Sequence, residues 1–354
     1  MRSGPLFKSR NGKIPPVLLD FCAEEVYIPG KQTNMRNFIM SLTEISYPCK
    51  FDRSVQPAMF RKAATPGPRP LVVALHTWSF DHSGQFDGYA RAAETWDWHL
   101  IFPKFRGPNW FPEGCGSEMV VSDLEDAVAY MREVCDVDHA RIYLTGGSGG
   151  GHCSLLMAGR RPDLWTAVSS WCPISDIAAW HAQCIGTSHK GYSEHIEKAC
   201  GGDPRTSEAA KLQCAIRSPL TWLLNARRAG LPVDISTGIH DGHTGSVPIS
   251  QAFNAFDLLV DEKDRFSTEE IDFMVKTEKI PEALQFKGID EAFGTEHKVL
   301  LRRASAAGRI TIFEGGHNIF PAVSFEWLSR QARGKKADWA PGKAVTAENG
   351  ELSK

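Results

Sequence analysis

The chain has 354 residues, 42% of them apolar and 23% charged, values ordinary for folded globular protein and far from those of a disordered one. With 40 Lys+Arg against 42 Asp+Glu the net charge is -2, so no positive excess is available for phosphates and nucleic acid is excluded as a partner. The longest apolar runs, such as Leu71–Leu75, are strand-length, far short of the roughly 20 residues of a membrane span.

No membrane association is therefore expected. The N-terminal stretch MRSGPLFKSRNGKIPP carries basic residues without an apolar stretch, so it does not read as a secretory signal. The chain is expected in the cytoplasm if this N-terminus is native, and exported if a signal has been removed. Nine cysteines form no CxxC pair or zinc-like grouping and read as small buried hydrophobes. Cys184, Cys200 and Cys214 lie close enough in sequence to include a disulfide in an exported protein. No metal and no cofactor are expected.

Residues 1–70 read as a β-rich segment joining a sheet edge. It holds short β-like runs at Glu24–Ile28 and Phe38–Leu42 and a hairpin of Ser46–Phe51 with Ala58–Lys62. Three prolines in Thr65-Pro-Gly-Pro-Arg-Pro70 then break regular structure. Leu71–Leu75 is a continuous β-branched and aliphatic run, the mark of a strand buried on both faces. A helix over Phe86–Trp96 and a strand at His99–Pro103 follow. Ser117 is placed to cap a helix whose apolar face uses Val120, Val121, Leu124, Val128 and Met131. Further strands are expected at Arg141–Thr145, Ala167–Trp171, Val233–Gly238 and Arg309–Phe313, with helices including Val247–Val260 and Ala322–Gln331. Strands alternating with helices predict an α/β domain over 71–334, with a mostly parallel sheet covered on both faces. Residues 173–229 read as a helical cap insertion, 261–298 as a surface insertion without functional role, and 335–354 as a polar tail.

The sharpest chemical signal is Thr145-Gly-Gly-Ser-Gly-Gly-Gly-His152, between a strand and the helical run Ser154–Arg160. Gly146–Gly150 fits G-x-S-x-G, the sharp turn on which a serine nucleophile sits and whose neighbours must lack side chains. A phosphate loop fits poorly, because no Walker lysine follows and the spacing is not G-x-G-x-x-G. A serine hydroxyl needs a base, and the base an orienting carboxylate. His317, in Glu314-Gly-Gly-His-Asn-Ile-Phe320 after the last strand, is the candidate base; His152 and His76 are weaker rivals. Asp241, just past Val233–Gly238, is the candidate acid, with Asp176 as rival. The order Ser148, Asp241, His317 is the one an α/β-hydrolase requires. Gly149 and either Thr77 or Trp78 would supply the backbone N–H groups of an oxyanion hole.

On the segments LVVALHTWS, GGSGGGH, D-G-H-T-G-S-V-P and FEGGH, the chain resembles the α/β-hydrolase superfamily. Within it, the resemblance is to prolyl-oligopeptidase-like and acetyl-xylan-esterase-like serine hydrolases, over roughly Phe38 to Arg333. One departure stands out: relatives commonly place the acid three residues before the V-P pair, whereas Asp241 precedes Val247 by six.

Ten tryptophans are many, and Trp78, Trp110, Trp171 and Trp180 fall on expected strand-end loops or the cap. Their flat faces suit sugar rings, and Arg106 and Asn109 suit hydroxyls. The expected substrate is thus a small-molecule or oligosaccharide ester, with an acetyl or related acyl group on a carbohydrate. A prolyl-oligopeptidase-like peptidase and a non-catalytic binding protein of the same fold are the alternatives, and the oligomeric state is left open.

Overall fold

The structure, a computed structural model, describes residues 42–345. Of the early β-like runs, Glu24–Ile28 and all but the last residue of Phe38–Leu42 lie outside them, as do residues 346–354 of the tail.

The first part of the described chain runs β1 (Thr43–Pro48), β2 (Val55–Arg61), β3 (Arg69–Leu75), α1 (Asp87–Thr95), β4 (His99–Pro103), α2 (Glu118–Val134), β5 (Val137–Gly147) and α3 (Gly149–Arg160). Next come β6 (Ala167–Trp171), then α4 (Ile177–Cys184), α5 (Lys190–Cys200), α6 (Glu208–Arg217) and α7 (Leu223–Ala229). The last part holds β7 (Val233–Gly238), α8 (Ser250–Leu259), α9 (Thr268–Thr277), β8 (Val299–Ser305), β9 (Gly308–Phe313) and α10 (Pro321–Ser329). The nine strands form one sheet in the order β1-β2-β4-β3-β5-β6-β7-β9-β8. Pairings from β4 through β3, β5, β6 and β7 to β9 are parallel; β1-β2, β2-β4 and β8-β9 are antiparallel. This is the α/β-hydrolase architecture expected from the sequence.

The pleat explains the two-sided burial. Leu71, Val73 and Leu75 enter one core with Val120, Leu124 and Met131 of α2, Leu155 of α3 and Phe253 of α8. Val72 and Ala74, pointing the other way, pack with Ala90 and Ala93 of α1 and with Phe325 and Trp327 of α10. The Ser117 hydroxyl accepts from the Val120 N–H, as expected of the cap that starts α2.

Two readings are corrected. β3 begins at Arg69, so Pro70 lies inside the strand rather than in the break before it. The segment after residue 298 contains β8, an edge strand that the sequence reading did not contain. The insertion 261–298 touches the loop carrying Asp241 through Glu278, as described below.

Candidate active site

β5 ends at Gly147 and α3 starts at Gly149, leaving Ser148 alone in the turn at φ 56°, ψ −118°. A left-handed φ in a non-glycine residue costs roughly 1–3 kcal/mol and persists only where the surroundings enforce it. Here the Ser148 N–H donates to the Trp171 carbonyl at 2.8 Å, and its own carbonyl accepts from the His152 N–H at 2.8 Å. The hydroxyl makes no cap to its helix, so it stays available for chemistry at the positive end of α3.

The wall opposite is backbone. A Cβ on Gly149 would come 2.5 Å from both N and Cα of Trp78, so only glycine admits this approach. Among the described residues the Trp78 N–H has no hydrogen-bond partner, whereas the Trp78 carbonyl accepts from the Asn109 N–H at 2.9 Å. The peptide beside the elbow is therefore held from one side and left with an open donor on the other.

β7 and β9 are parallel neighbours with Gly238 opposite Phe313, so the loops leaving them emerge side by side. They bring Asp241 and His317 together: His317 Nδ1 lies 2.7 Å from Asp241 Oδ2. Asp241 is fully buried, and its other oxygen accepts from the N–H groups of Gly242 (3.0 Å) and Val247 (3.2 Å). The longer loop noted in the sequence thus folds back around the carboxylate. Burial of the His317 ring disfavours its charge, but the Cys172 sulfur and the Asp241 carboxylate outweigh this and place its pKa well above 6.5. Of the two, the carboxylate acts at neutral pH, since burial pushes the Cys172 thiol up and keeps it protonated. Ile319, two residues past His317, packs against Gly147 and so joins the histidine loop to the elbow.

The rivals have other tasks. Asp176 accepts from the Ala179 N–H as the cap of α4. His76 stacks on Phe105 and its two nitrogens meet the Thr77 and Lys104 carbonyls, while His152 Nε2 meets the Arg217 carbonyl. Burial lowers the pKa of each to about 4.

Comparison with known proteins points to the same fold. Residues 116–267 match the prolyl oligopeptidase family. The fold is that of the α/β-hydrolases, and the family match covers less than half of the chain. No curated protein sequence matches it. Among solved structures it is similar to the acylaminoacyl peptidase of Pyrococcus horikoshii, with a TM-score of 0.54 and 13% identity over 87% of this chain and 44% of that one. It is also similar to a puromycin hydrolase, with a TM-score of 0.52 and 15% identity over 81% of this chain and 38% of that one. Oligopeptidase B from Leishmania major gives 0.50 and 11%, over 81% and 34%. The chain spans less than half the length of these structures, and at such identities the likeness is one of fold.

Several residues expected to touch substrate have partners within the protein. Arg106 is enclosed by carboxylates, with Nε 2.5 Å from Asp123 Oδ2 and Nη1 2.7 Å from Asp52 Oδ2. Asn109 is fully buried and fixes Trp78 and Cys115. Trp78 and Trp180 meet edge-to-face at 4.9 Å in the cap core, and Trp180 donates to the Ser246 carbonyl. Trp171 is buried and donates to Ser324. Trp110 alone of the four is half-exposed, beside His195.

Two features were missed. The first is Cys172, at φ 44°, whose sulfur lies within 4.8 Å of the His317 and Asp241 donor atoms. The second is a bridge at His240, with Nδ1 2.7 Å from Glu278 and Nε2 2.8 Å from Glu314, which raises the imidazole pKa. Neither has a local sequence signal, because the partners are 38 and 74 residues away. His181, Glu197 and Asp203 form another donor cluster, in which His181 bonds Glu197 at 2.9 Å and Asp203 is paired with Arg205. Cys49, Cys115, Cys135, Cys153, Cys172, Cys184, Cys200 and Cys214 are all buried free thiols, which leaves Cys184, Cys200 and Cys214 unlinked.

Proposed function

We propose that the protein is a serine hydrolase that cleaves carboxylic esters of carbohydrates by an acyl-enzyme mechanism. His317 takes the Ser148 proton as the serine attacks the ester carbonyl, while Asp241 holds the Nδ1–H tautomer and stabilises the imidazolium. The Gly149 and Trp78 N–H groups receive the developing oxyanion. His317 then protonates the leaving alcohol, and water repeats the cycle on the acyl-enzyme. The observation that carries the acyl-transfer chemistry is the buried 2.7 Å His317–Asp241 contact, on a loop that packs against the strained Ser148 elbow.

The substrate class rests on a pocket of about 330 Å³ between the β3–α1 loop and the histidine loop, lined in part by Leu75, Thr77, Gln85, Tyr89, Ile319 and Pro321. It is compact and mixed in polarity, which suits a sugar ring better than an extended peptide. The tryptophans no longer carry this reading, because three of the four are buried. A peptidase is the second reading, favoured by the family match.

The test is a hydrolysis panel of acetylated sugars, feruloylated sugars, short nitrophenyl esters and Xaa-Pro peptides, run beside Ser148→Ala. Sugar esterolysis lost in Ser148→Ala with the fold intact supports the proposal. Peptide cleavage without ester cleavage promotes the second reading, and full activity in Ser148→Ala removes the nucleophile assignment.

A further inference from the structure

The pocket of about 330 Å³ has several polar groups in its lining. The Thr77 hydroxyl donates to Gln85 Oε1 at 2.7 Å, and the Gln85 amide NH₂ has no hydrogen-bond partner among the described residues. Gln85 itself sits at φ 66°, a strained setting for a residue with a side chain. Tyr89 adds a phenol that burial keeps protonated, hence able to donate. Arg91, exposed on α1, lines the same pocket. Among the described residues its guanidinium has no carboxylate within ion-pair distance, although Asp87 and Glu94 stand one turn away on the same helix. His76 in the floor has both nitrogens committed to carbonyls. The lining contains no Asp or Glu. Its polar groups are thus mainly donors with one fixed positive charge, above an apolar floor of Leu75, Phe102, Ile319 and Pro321.

The pocket also lies against the segment that follows His317. His317 must hand its proton to the leaving oxygen, so the alcohol portion extends on the histidine side of the tetrahedral carbon. Ile319 and Pro321, which wall the pocket, belong to the segment just past His317.

We infer that this pocket receives the alcohol portion of the substrate and recognises a carboxylate on it, so that the preferred substrates are acyl esters of acidic sugars. The inference rests on the ester-hydrolase reading above and narrows it. Arg91 forms the charged contact, since a guanidinium fork matches a carboxylate in two parallel hydrogen bonds. Gln85 and Tyr89 donate to the remaining acceptors. Arg91 is a specificity residue in this scheme and takes no part in bond breaking.

The experiment compares kcat/KM for two monoacetylated sugars that differ only in the acid: a methyl glucuronide and the corresponding methyl glucoside, acetylated at the same hydroxyl. The full-length chain is expected to prefer the acidic sugar by about tenfold or more at low salt, with the ratio falling as salt is added. Arg91→Gln should bring the ratio towards one, Arg91→Glu should invert it, and Arg91→Lys should keep part of it. A wild-type ratio near one, or a ratio that Arg91→Glu leaves unchanged, overturns the inference. 4-Nitrophenyl acetate separates the two failures. If it and both sugars are cleaved without preference, only the carboxylate assignment falls; if no ester is cleaved and peptides are, the ester reading falls and takes this inference with it.

Discussion

Asp241→Asn tests the acid–base pair with one atom changed, and the structure dictates how the amide must sit. Oδ1 of Asp241 accepts from two backbone N–H groups, those of Gly242 and Val247. An NH₂ at that position would set donor against two donors in a fully buried site. The asparagine oxygen therefore stays there, and its NH₂ takes the place of Oδ2, 2.7 Å from His317 Nδ1. The imidazole can then bond it only by accepting at Nδ1, which moves the ring proton to Nε2. A histidine protonated at Nε2 cannot take the Ser148 proton. The expected loss is about 10⁴-fold in kcat, equivalent to ~5.5 kcal/mol of activation free energy at ~1.36 kcal/mol per decade. Losing the carboxylate also lowers the His317 pKa, so the acid limb of kcat/KM, expected above pH 6.5 in the wild type, moves to lower pH. Steady-state nitrophenyl ester hydrolysis from pH 5 to 9 measures both effects. Activity within tenfold of wild type, with an unmoved acid limb, would refute the tautomer argument; Asp176→Asn, which alters only a helix cap, should change neither.

Gly149→Ala should lower kcat by about 10²–10³-fold with KM little changed, because the new methyl displaces the Trp78 peptide from the oxyanion site; single-turnover kinetics on an activated ester measure it. The Arg309–Asp234 pair is 2.7 Å apart with both side chains 3% exposed, so Asp234→Ala strands a buried cation and should destabilise the fold by about 3–5 kcal/mol in urea titration. His240 has a raised pKa, so its bridge is fully present below the unfolded value near 6.5 and is lost as pH rises through the folded one. The ring is 35% exposed and screened by solvent, so the contribution is at most about 1 kcal/mol. Comparing urea stability of wild type and Glu278→Gln at pH 6 and pH 9 should show a difference at the lower pH that shrinks at the higher.

The parallel strands and the elbow were legible because their signals are local. A buried strand is an apolar run, and a serine in a left-handed turn needs small neighbours, so both lie within a few consecutive residues. Asp241 and His317 were picked out by chain order, and the parallel pairing of β7 with β9 is what brings their loops together. β8 escaped because its sequence, VLLRRAS, reads as half polar. Its arginines are accommodated by tertiary partners: Arg302 bonds Asp290 and lies over the Phe286 ring, and Arg303 lies over Phe266. Arg106 and Asn109 looked free for the converse reason. Nothing near Arg106 in sequence announces Asp52 and Asp123 as its partners, and nothing near Asn109 announces the Trp78 carbonyl and the Cys115 N–H that hold its side chain.

The insertion at 261–298 has contacts that its charge pattern does not announce. Its composition is that of a solvated excursion, and α9 is capped by its own Ser267–Glu270 box, as a self-sufficient surface helix would be. Yet the residue that ends α9, Glu278, adopts φ 54° and turns its carboxylate onto His240. The other nitrogen of that ring faces Glu314, three residues before His317. An imidazole with a carboxylate within 2.8 Å of each nitrogen satisfies both only as the doubly protonated cation, because the neutral ring has one N–H to give. One proton therefore joins three segments far apart in the chain: the insertion, the loop holding Asp241 and the loop holding His317. These two loops are joined from outside by the same kind of contact that Asp241 and His317 make within, and the insertion is tied to them through it.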